Sequence, residues 1–279
     1  MFCIIHTLRQ WLKFKKNYNT YEQREQMFDI LKDSSERIRT GVILIAVVLF
    51  IGIIDSKFLT WLFLGFVMMI GVSEAMKLFK SERNLIYLVS GFTWILAYFY
   101  PNPQDLVFVS IVFFASVLAY TKTFDKALFL PLLYPLVSYL FLFSLYLSFG
   151  VTSLFWLLVV VAGTDVGAYF VGKGIGKRQF CPTSPKKTLE GVFGGVLIAT
   201  ALGFIFAPSA YGTSTILFVS FVVSLASVFG DLFESYLKRE ADVKDSGDIL
   251  PGHGGILDRT DGYLFGGVLM YILLKLLVI

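Results

Sequence analysis

Nine stretches of this chain run almost without charge, at residues 41–54, 58–76, 85–100, 106–121, 127–149, 152–171, 190–207, 214–236 and 262–279. Their apolar residues follow neither the period of two of a half-buried strand nor the 3.6-residue stripe of a helix packed on a soluble core. A helix solvated by lipid is apolar all round, and about 20 residues cross roughly 30 Å of hydrocarbon. Composition agrees, with 56% of residues hydrophobic and 16% charged, against about half and about a quarter in soluble domains. The expected fold is an all-α polytopic integral membrane protein with about nine transmembrane helices. The stretch 41–54 is short for a crossing, so it is expected to tilt little or to begin within the preceding segment. Pro131 and Pro135 interrupt the fifth stretch, where they predict a kink rather than a boundary.

The basic residues orient the chain. With a cytoplasmic N-terminus, the inside segments 1–40, 77–84, 122–126, 172–189 and 237–261 carry eight, three, two, five and four Lys or Arg, which is 22 of the 24. Only Lys57 and Lys275 remain. Such a bias follows the positive-inside rule and puts 172–189 and 237–261 in the cytoplasm. The chain divides into a cytoplasmic or interfacial segment (1–40), N-terminal transmembrane helices (41–150) and a C-terminal catalytic transmembrane region (151–279). Residues 1–40 lack the apolar core and cleavage site of a signal peptide. Residues 28–39 suit a short interfacial helix, and Met27 would serve equally as the start. Cys3 and Cys181 have neither metal-site nor disulfide spacing.

The segment Ser235–Asp261 is too elaborate for a connector. In 27 residues it holds six Asp or Glu, four Gly and, with His253, five basic residues. Upstream, Asp165 sits inside an apolar run, where a carboxylate is costly unless it is paired, bound to a cation or facing water. A helix-end Asp near the interface is the plainer account. Asp231, Glu234 or Ser235, and Lys238 recur at helical spacing and share one face, either a salt-bridged edge or an acidic wall of a hydrated cavity. Asp258 and Asp261 stand three apart, and on a helical turn both suit oxygen coordination of one or two hard cations. Four such acids exceed what one Mg²⁺ takes from a protein, so a second ion or hydrogen-bonded supporting carboxylates are expected.

Phosphate recognition is the natural complement. G-K-G-I-G-K-R (172–178) combines glycines with Lys177 and two further cations, and S-P-K-K-T-L-E-G (184–191) adds Ser184, Lys186, Lys187 and Thr188. Gly admits backbone N–H groups to anionic oxygens, and Lys or Arg neutralise them. The Walker A spacing is absent, and ordinary positive-inside charge explains the cations equally well. P-G-H-G-G (251–255) suggests a tight loop closing over a ligand around His253, although a loop histidine is more often simply solvated.

These blocks carry a resemblance. The run S-x-L-K-R-x-x-x-x-K-D-x-G-x-x-L-P-G-H-G-G-I-L-D-R-x-D resembles the pattern of the phosphatidate cytidylyltransferase (CDP-diacylglycerol synthase) family. D-x-G-A-Y-x-x-G-x-x-x-G-K-R (165–178) and S-P-K-K-T-x-E-G (184–191) resemble further blocks, so the likeness covers about 155–279. The N-terminal half matches only in hydropathy and in R-I-R-T-G entering the first span, and residues 1–26 have no counterpart. The resemblance implies the reaction CTP + phosphatidic acid → CDP-diacylglycerol + diphosphate, with Mg²⁺ as cofactor and a second cation left open. It implies metal ligation by Asp231, Asp258 and Asp261, with Asp165 as a fourth. Lys238, Arg239, Lys244 and Arg259 would meet the triphosphate and the departing diphosphate, and Lys186 and Lys187 would hold phosphatidate or CTP. Asp245 and His253 would fix the loop or touch the nucleotide. Lys177, Ser184 and Thr188 complete the substrate-binding set. No general base is required, because phosphatidate is already anionic at neutral pH.

The implied partners are CTP, phosphatidic acid and the bilayer, with no nucleic acid and with homodimerisation left open. The implied location is the cell inner (plasma) membrane, multi-pass, with the active site facing the cytoplasm. Two other readings compete. A CTP-dependent polyprenol or phytol kinase, or an archaeal-type CDP-lipid synthase, would use related machinery. A cation transporter would place carboxylates near mid-membrane within inverted repeats, whereas these acids cluster at one face.

Overall fold

A computed structural model of the chain describes residues 21–81, 84–122 and 128–278, with side chains from Ile38 onward. Nine helices occur among the described residues: α1 (Tyr21–Ile54), α2 (Lys57–Leu78), α3 (Asn84–Phe99), α4 (Leu106–Thr121), α5 (Phe129–Phe149), α6 (Val151–Ile175), α7 (Leu189–Phe206), α8 (Thr213–Glu240) and α9 (Leu257–Val278). Seven are long and apolar enough to cross a membrane; α4 counts together with the single 3₁₀ turn before it. The apolar part of α1 (Ile38–Ile54) and the 16-residue α3 are shorter. The architecture is thus all-α and polytopic. Exposed Phe66, Phe99, Phe108, Tyr120 and Leu276 cover its outer surface, which water would not tolerate on this scale but lipid does.

Several boundaries differ from expectation. The stretch 41–54 ends one continuous helix that begins at Tyr21, so 28–39 is not a separate short helix. Its side chains up to residue 37, and residues 1–20 entirely, lie outside the described residues, as does any role for 1–26 that depends on them. At the other end α8 runs on to Glu240 and α9 begins at Leu257, so the charged connector shrinks to 241–256. Lys238, Arg239, Asp258, Arg259 and Asp261 are helical. Between α6 and α7 the chain forms a two-stranded antiparallel ribbon, β1 (Gln179–Cys181) and β2 (Ser184–Thr188), in place of an irregular loop.

Local chemistry explains the joints. Pro135 has no N–H to donate, and α5 widens there into a π turn over Leu133–Val137 before resuming α-helical geometry. Gly150 takes φ of 77° between α5 and α6, a left-handed conformation that a residue with Cβ enters at a cost. Thr188 caps α7, its Oγ1 accepting from Gly191 N–H at 3.1 Å.

Burial separates centre from rim. About 72% of the α5 window is buried but only 17% of the α4 window, so α5 is central and α4 faces lipid. The C-terminal helices α6 to α9 pack on one another, and α5 and α2 close against α9. Trp156, Tyr139, Phe143 and Met68 fill the interior. Hydroxyls tie the helices where hydrophobic association gains nothing: Thr164 with Ser224 at 2.7 Å, Thr93 with Ser110 at 2.7 Å, and Trp156 Nε1 donating to Ser220 Oγ at 3.0 Å.

Candidate active site

The polar cluster forms where the C-terminal half of α8 crosses the first turns of α9. The crossing is close because of Gly230, where a Cβ would run into the Asp261 carbonyl, and Gly262, where one would lie 2.6 Å from Ser227 Oγ. Asp231, Glu234 and Lys238 recur along α8 at three and four residues and look onto that seam. The helical face predicted for them is therefore real.

Asp258 is the most fully engaged side chain. Its Oδ1 accepts from Lys238 Nζ at 2.6 Å, and its Oδ2 accepts from Ser246 N–H at 2.8 Å, Ser246 Oγ at 2.9 Å and Gly255 N–H at 2.8 Å. Four donors use nearly all the capacity of a carboxylate. Asp258 holds the connector 241–256 folded onto α8 and α9. The connector bends at Gly254, with φ of 82°, where a Cβ would also lie 2.8 Å from Asp258 Oδ2. Leu250 N–H donates to Gly254 carbonyl at 3.0 Å, closing P-G-H-G into a tight turn.

Asp231 pairs with Lys187 from β2, and Ser235 Oγ donates to it at 3.3 Å. β2 therefore delivers one lysine to the α8 seam, while its neighbour Lys186 points to the other face of the ribbon and is exposed. Asp261 accepts Gly262 N–H at 2.7 Å, and the charges of Asp231, Glu234 and Asp165 all act on it. Asp165, on α6, is exposed and feels the charges of Asp231, Lys187 and Arg259. Glu234 is wholly buried, with Lys238 Nζ 3.3 Å from Oε1 and the Asp261 carboxyl beside it; buried Ser227 Oγ has no hydrogen-bond partner among the described residues.

Other expected residues stand apart or do other work. Arg239, Lys244, Asp245, Lys177 and Lys186 are exposed around the rim. Ser184 sits in the ribbon opposite Cys181, and Thr188 is the α7 cap. Arg259 turns back on the connector, with Nε and Nη2 donating to His253 carbonyl at 3.0 and 2.8 Å. His253 Nδ1 lies 3.5 Å from Pro251 carbonyl, and the ring edge faces Gly41 of α1. The backbone N–H groups of Lys177 and Arg178, which the glycines could have offered to a phosphate, donate instead to Glu190, at 3.0 and 3.2 Å to Oε2.

Sequence reasoning missed Glu74, Ser246 and Ser227, and placed Glu234 on the right face without a role. Glu74 lies in α2, only 3% exposed. Its Oε1 accepts Ile256 N–H at 3.0 Å, and its Oε2 accepts Leu257 N–H at 2.8 Å and Ser246 Oγ at 3.1 Å. A lone carboxylate close to the end of an apolar run is the only signal it leaves.

The donor set is all oxygen and rich in acid, which fits a hard cation, and buried Ser227 Oγ, without a partner among the described residues, fits one too. Among the described residues no three His, Cys, Asp or Glu side chains stand close enough to enclose a metal ion as they are. What the cluster offers directly is two lysines and an arginine set among carboxylates at one end of a lipid-exposed bundle. Such a site suits the handling of phosphate groups at a membrane surface.

The fold and site together define an integral membrane protein with a charged centre at one face. Residues 35–277 match the model of the cytidylyltransferase family. A phosphatidate cytidylyltransferase of Helicobacter pylori strain 26695 is 45% identical over 254 residues, covering 90% of this chain and 95% of the relative. One of Bacillus subtilis is 38% identical over 272 residues, with 88% and 98% covered, and one of Haemophilus influenzae is 30% identical over 268, with 81% and 93% covered. The chain belongs to the cytidylyltransferase family, and it is a nucleotidyltransferase.

Proposed function

We propose that this protein transfers the cytidylyl group of CTP to phosphatidic acid, giving CDP-diacylglycerol and diphosphate, at the cytoplasmic face of the inner membrane. The observation that carries this reading is the meeting of Lys187 with Asp231 and of Lys238 with Asp258 at one end of the α8–α9 seam. Relatives named for that activity extend over nearly the whole chain. A phosphatidate oxygen attacks the α-phosphorus in line, the bond to the β-phosphate oxygen breaks, and diphosphate leaves with the electron pair. Little covalent help is needed; positioning and neutralisation of charge do most of the work. Lys187 and Lys238 supply positive charge where the phosphates meet, and Lys186, Lys177, Arg239 and Lys244 at the rim draw CTP in from water. The connector, folded by Asp258 and Arg259, forms the wall. Asp231 and Asp261, with Asp165 as a further carboxylate, would hold Mg²⁺, which would neutralise phosphate charge and orient both groups.

Geometry suits the substrates. A diacyl lipid leaves the bilayer at about 0.8 kcal/mol per CH₂, and CTP does not enter hydrocarbon, so the two meet at headgroup depth. Parity supports nine crossings. Thr40 donates to Pro251 carbonyl at 3.1 Å, Glu74 accepts from Leu257 N–H, and Lys80 Nζ donates to Glu240 carbonyl at 3.3 Å. The start of the apolar part of α1 and the ends of α2 and α8 therefore share a face with the start of α9. Four helices, α3 to α6, separate the end of α2 from the β ribbon beside Asp231, and an even number must cross for both to share that face. The short α3 thus crosses with its neighbours, and α1 and α2 go out and return.

CTP labelled at either the α- or the γ-phosphate, supplied with phosphatidic acid in mixed micelles, tests the reaction. Label should enter lipid from the α position only, EDTA should stop it, and excess Mg²⁺ should restore it. Entry from the γ position would make the protein a lipid kinase. Persistence in EDTA would remove the metal assignment.

A further inference from the structure

Glu74 lies 182 residues from Ile256 in sequence, yet its carboxylate is built into the start of α9. Among the described residues its three donors come from the connector and α9 and none from its own helix. Ile256 and Leu257 present two of the N–H groups that a helix leaves unpaired at its first turn, and negative charge is favoured there by the helix dipole. The cradle is shaped for this side chain. A Cβ on Gly255 would lie 2.7 Å from Glu74 Cδ, and one on Gly247 would lie 3.0 Å from the same atom. The residue after Leu257 is Asp258.

Ser246 closes the link. Its hydroxyl has one proton and stands 3.1 Å from Glu74 Oε2 and 2.9 Å from Asp258 Oδ2. Two carboxylates share that donor, so the place of one constrains the other. Lys238, 2.6 Å from the far oxygen of Asp258, ends the chain of contacts.

We propose that Glu74 is a positioning residue for the transfer reaction: through the first turn of α9 and through Ser246 it sets Asp258, and with it Lys238. This rests on the reaction proposed above. A cap that served stability alone would need only the two backbone bonds. The shared serine proton couples this one to the charged seam.

The test is a double-mutant cycle with Glu74→Gln and Ser246→Ala in the full-length protein, assayed with CTP and phosphatidic acid. Gln keeps the volume of Glu but turns an amide N–H₂ toward an N–H donor, whereas Ala removes the bridge and leaves the α9 cap. Each variant should lower kcat per folded molecule by about ten- to a hundredfold, the scale of a sub-ångström to ångström misplacement. KM for CTP should stay within about threefold, since uniform binding is untouched. The double variant should fall no further than the worse single one, because both changes break one linkage. Wild-type kcat in folded Glu74→Gln, or additive losses in the double variant, would overturn the proposal. Should Glu74→Gln not fold, Ser246→Ala decides alone: wild-type kcat overturns the role and a reduced kcat supports it. A wild-type protein that makes no CDP-diacylglycerol sinks the reaction reading instead.

Discussion

Asp231 and Asp258 look alike in the sequence, each an aspartate near the end of a span, but their surroundings separate what their loss should do. The Asp231–Lys187 pair is partly solvated, with side chains 31% and 25% exposed, so it contributes only about 0–1 kcal/mol to stability. Asp231→Asn should therefore abolish turnover while the melting temperature in detergent hardly moves; normal activity would remove Asp231 from the site. Asp258 is 5% exposed and holds four donors. Its replacement by Asn takes the closer of two buried carboxylates from Lys238, leaving Glu234 at 3.3 Å, and weakens the hold on the connector's donors, at a cost of about 1–3 kcal/mol. Both activity and melting temperature should fall, and an unchanged melting temperature would show the connector is held elsewhere. His253 meets Pro251 carbonyl and offers its own carbonyl to Arg259, which is work for a loop former. The pH profile of kcat should keep its shape in His253→Ala. Loss of a limb near the usual histidine range in that variant would make it a base after all.

Among the elements, the helix pairs record where backbones must touch. At Gly230 an added Cβ meets the α9 backbone itself, which cannot swing aside as a side chain can. Gly230→Ala should cost about 1–3 kcal/mol by overpacking and should also depress turnover by separating Asp231 from Asp261. Gly91 in α3 faces open space, so Gly91→Ala should be neutral or stabilising by up to about 1 kcal/mol from helix propensity. Thermal unfolding in detergent reads both, and equal losses at the two positions would contradict the packing. Except at the start of α1, hydropathy placed the helix ends within about five residues, because lipid-facing residues must be apolar. It could not see α8 continuing to Glu240 or α9 starting at Leu257, since charged residues are good helix formers once the helix leaves hydrocarbon. The ribbon 179–188 was hidden for a different reason: its pairing satisfies backbone groups and leaves a polar sequence that reads as loop.

At the scale of the molecule, the N-terminal half grips the charged connector at Glu74 and at Thr40, joining segments that the sequence kept apart. That grip brings those helix ends to one side of the bundle, and the proposed cytoplasmic orientation rests on the distribution of Lys and Arg. In intact cells of a Cys3→Ser background, a membrane-impermeant maleimide should label Ser56→Cys directly. It should reach Cys181 only after permeabilisation; the reverse pattern would invert the topology. The sequence by itself determined the class, the apolar segments, the charged blocks and the family likeness, because lipid exposure and phosphate chemistry each restrict residue types locally. Only the tertiary structure decided that Lys187 meets Asp231, that Asp258 is a latch for its loop, and that Glu74 belongs to the site. Those outcomes depend on which helices cross and how closely. A carboxylate whose partners are backbone N–H groups leaves no mark in the sequence of those partners, since nearly every residue has one.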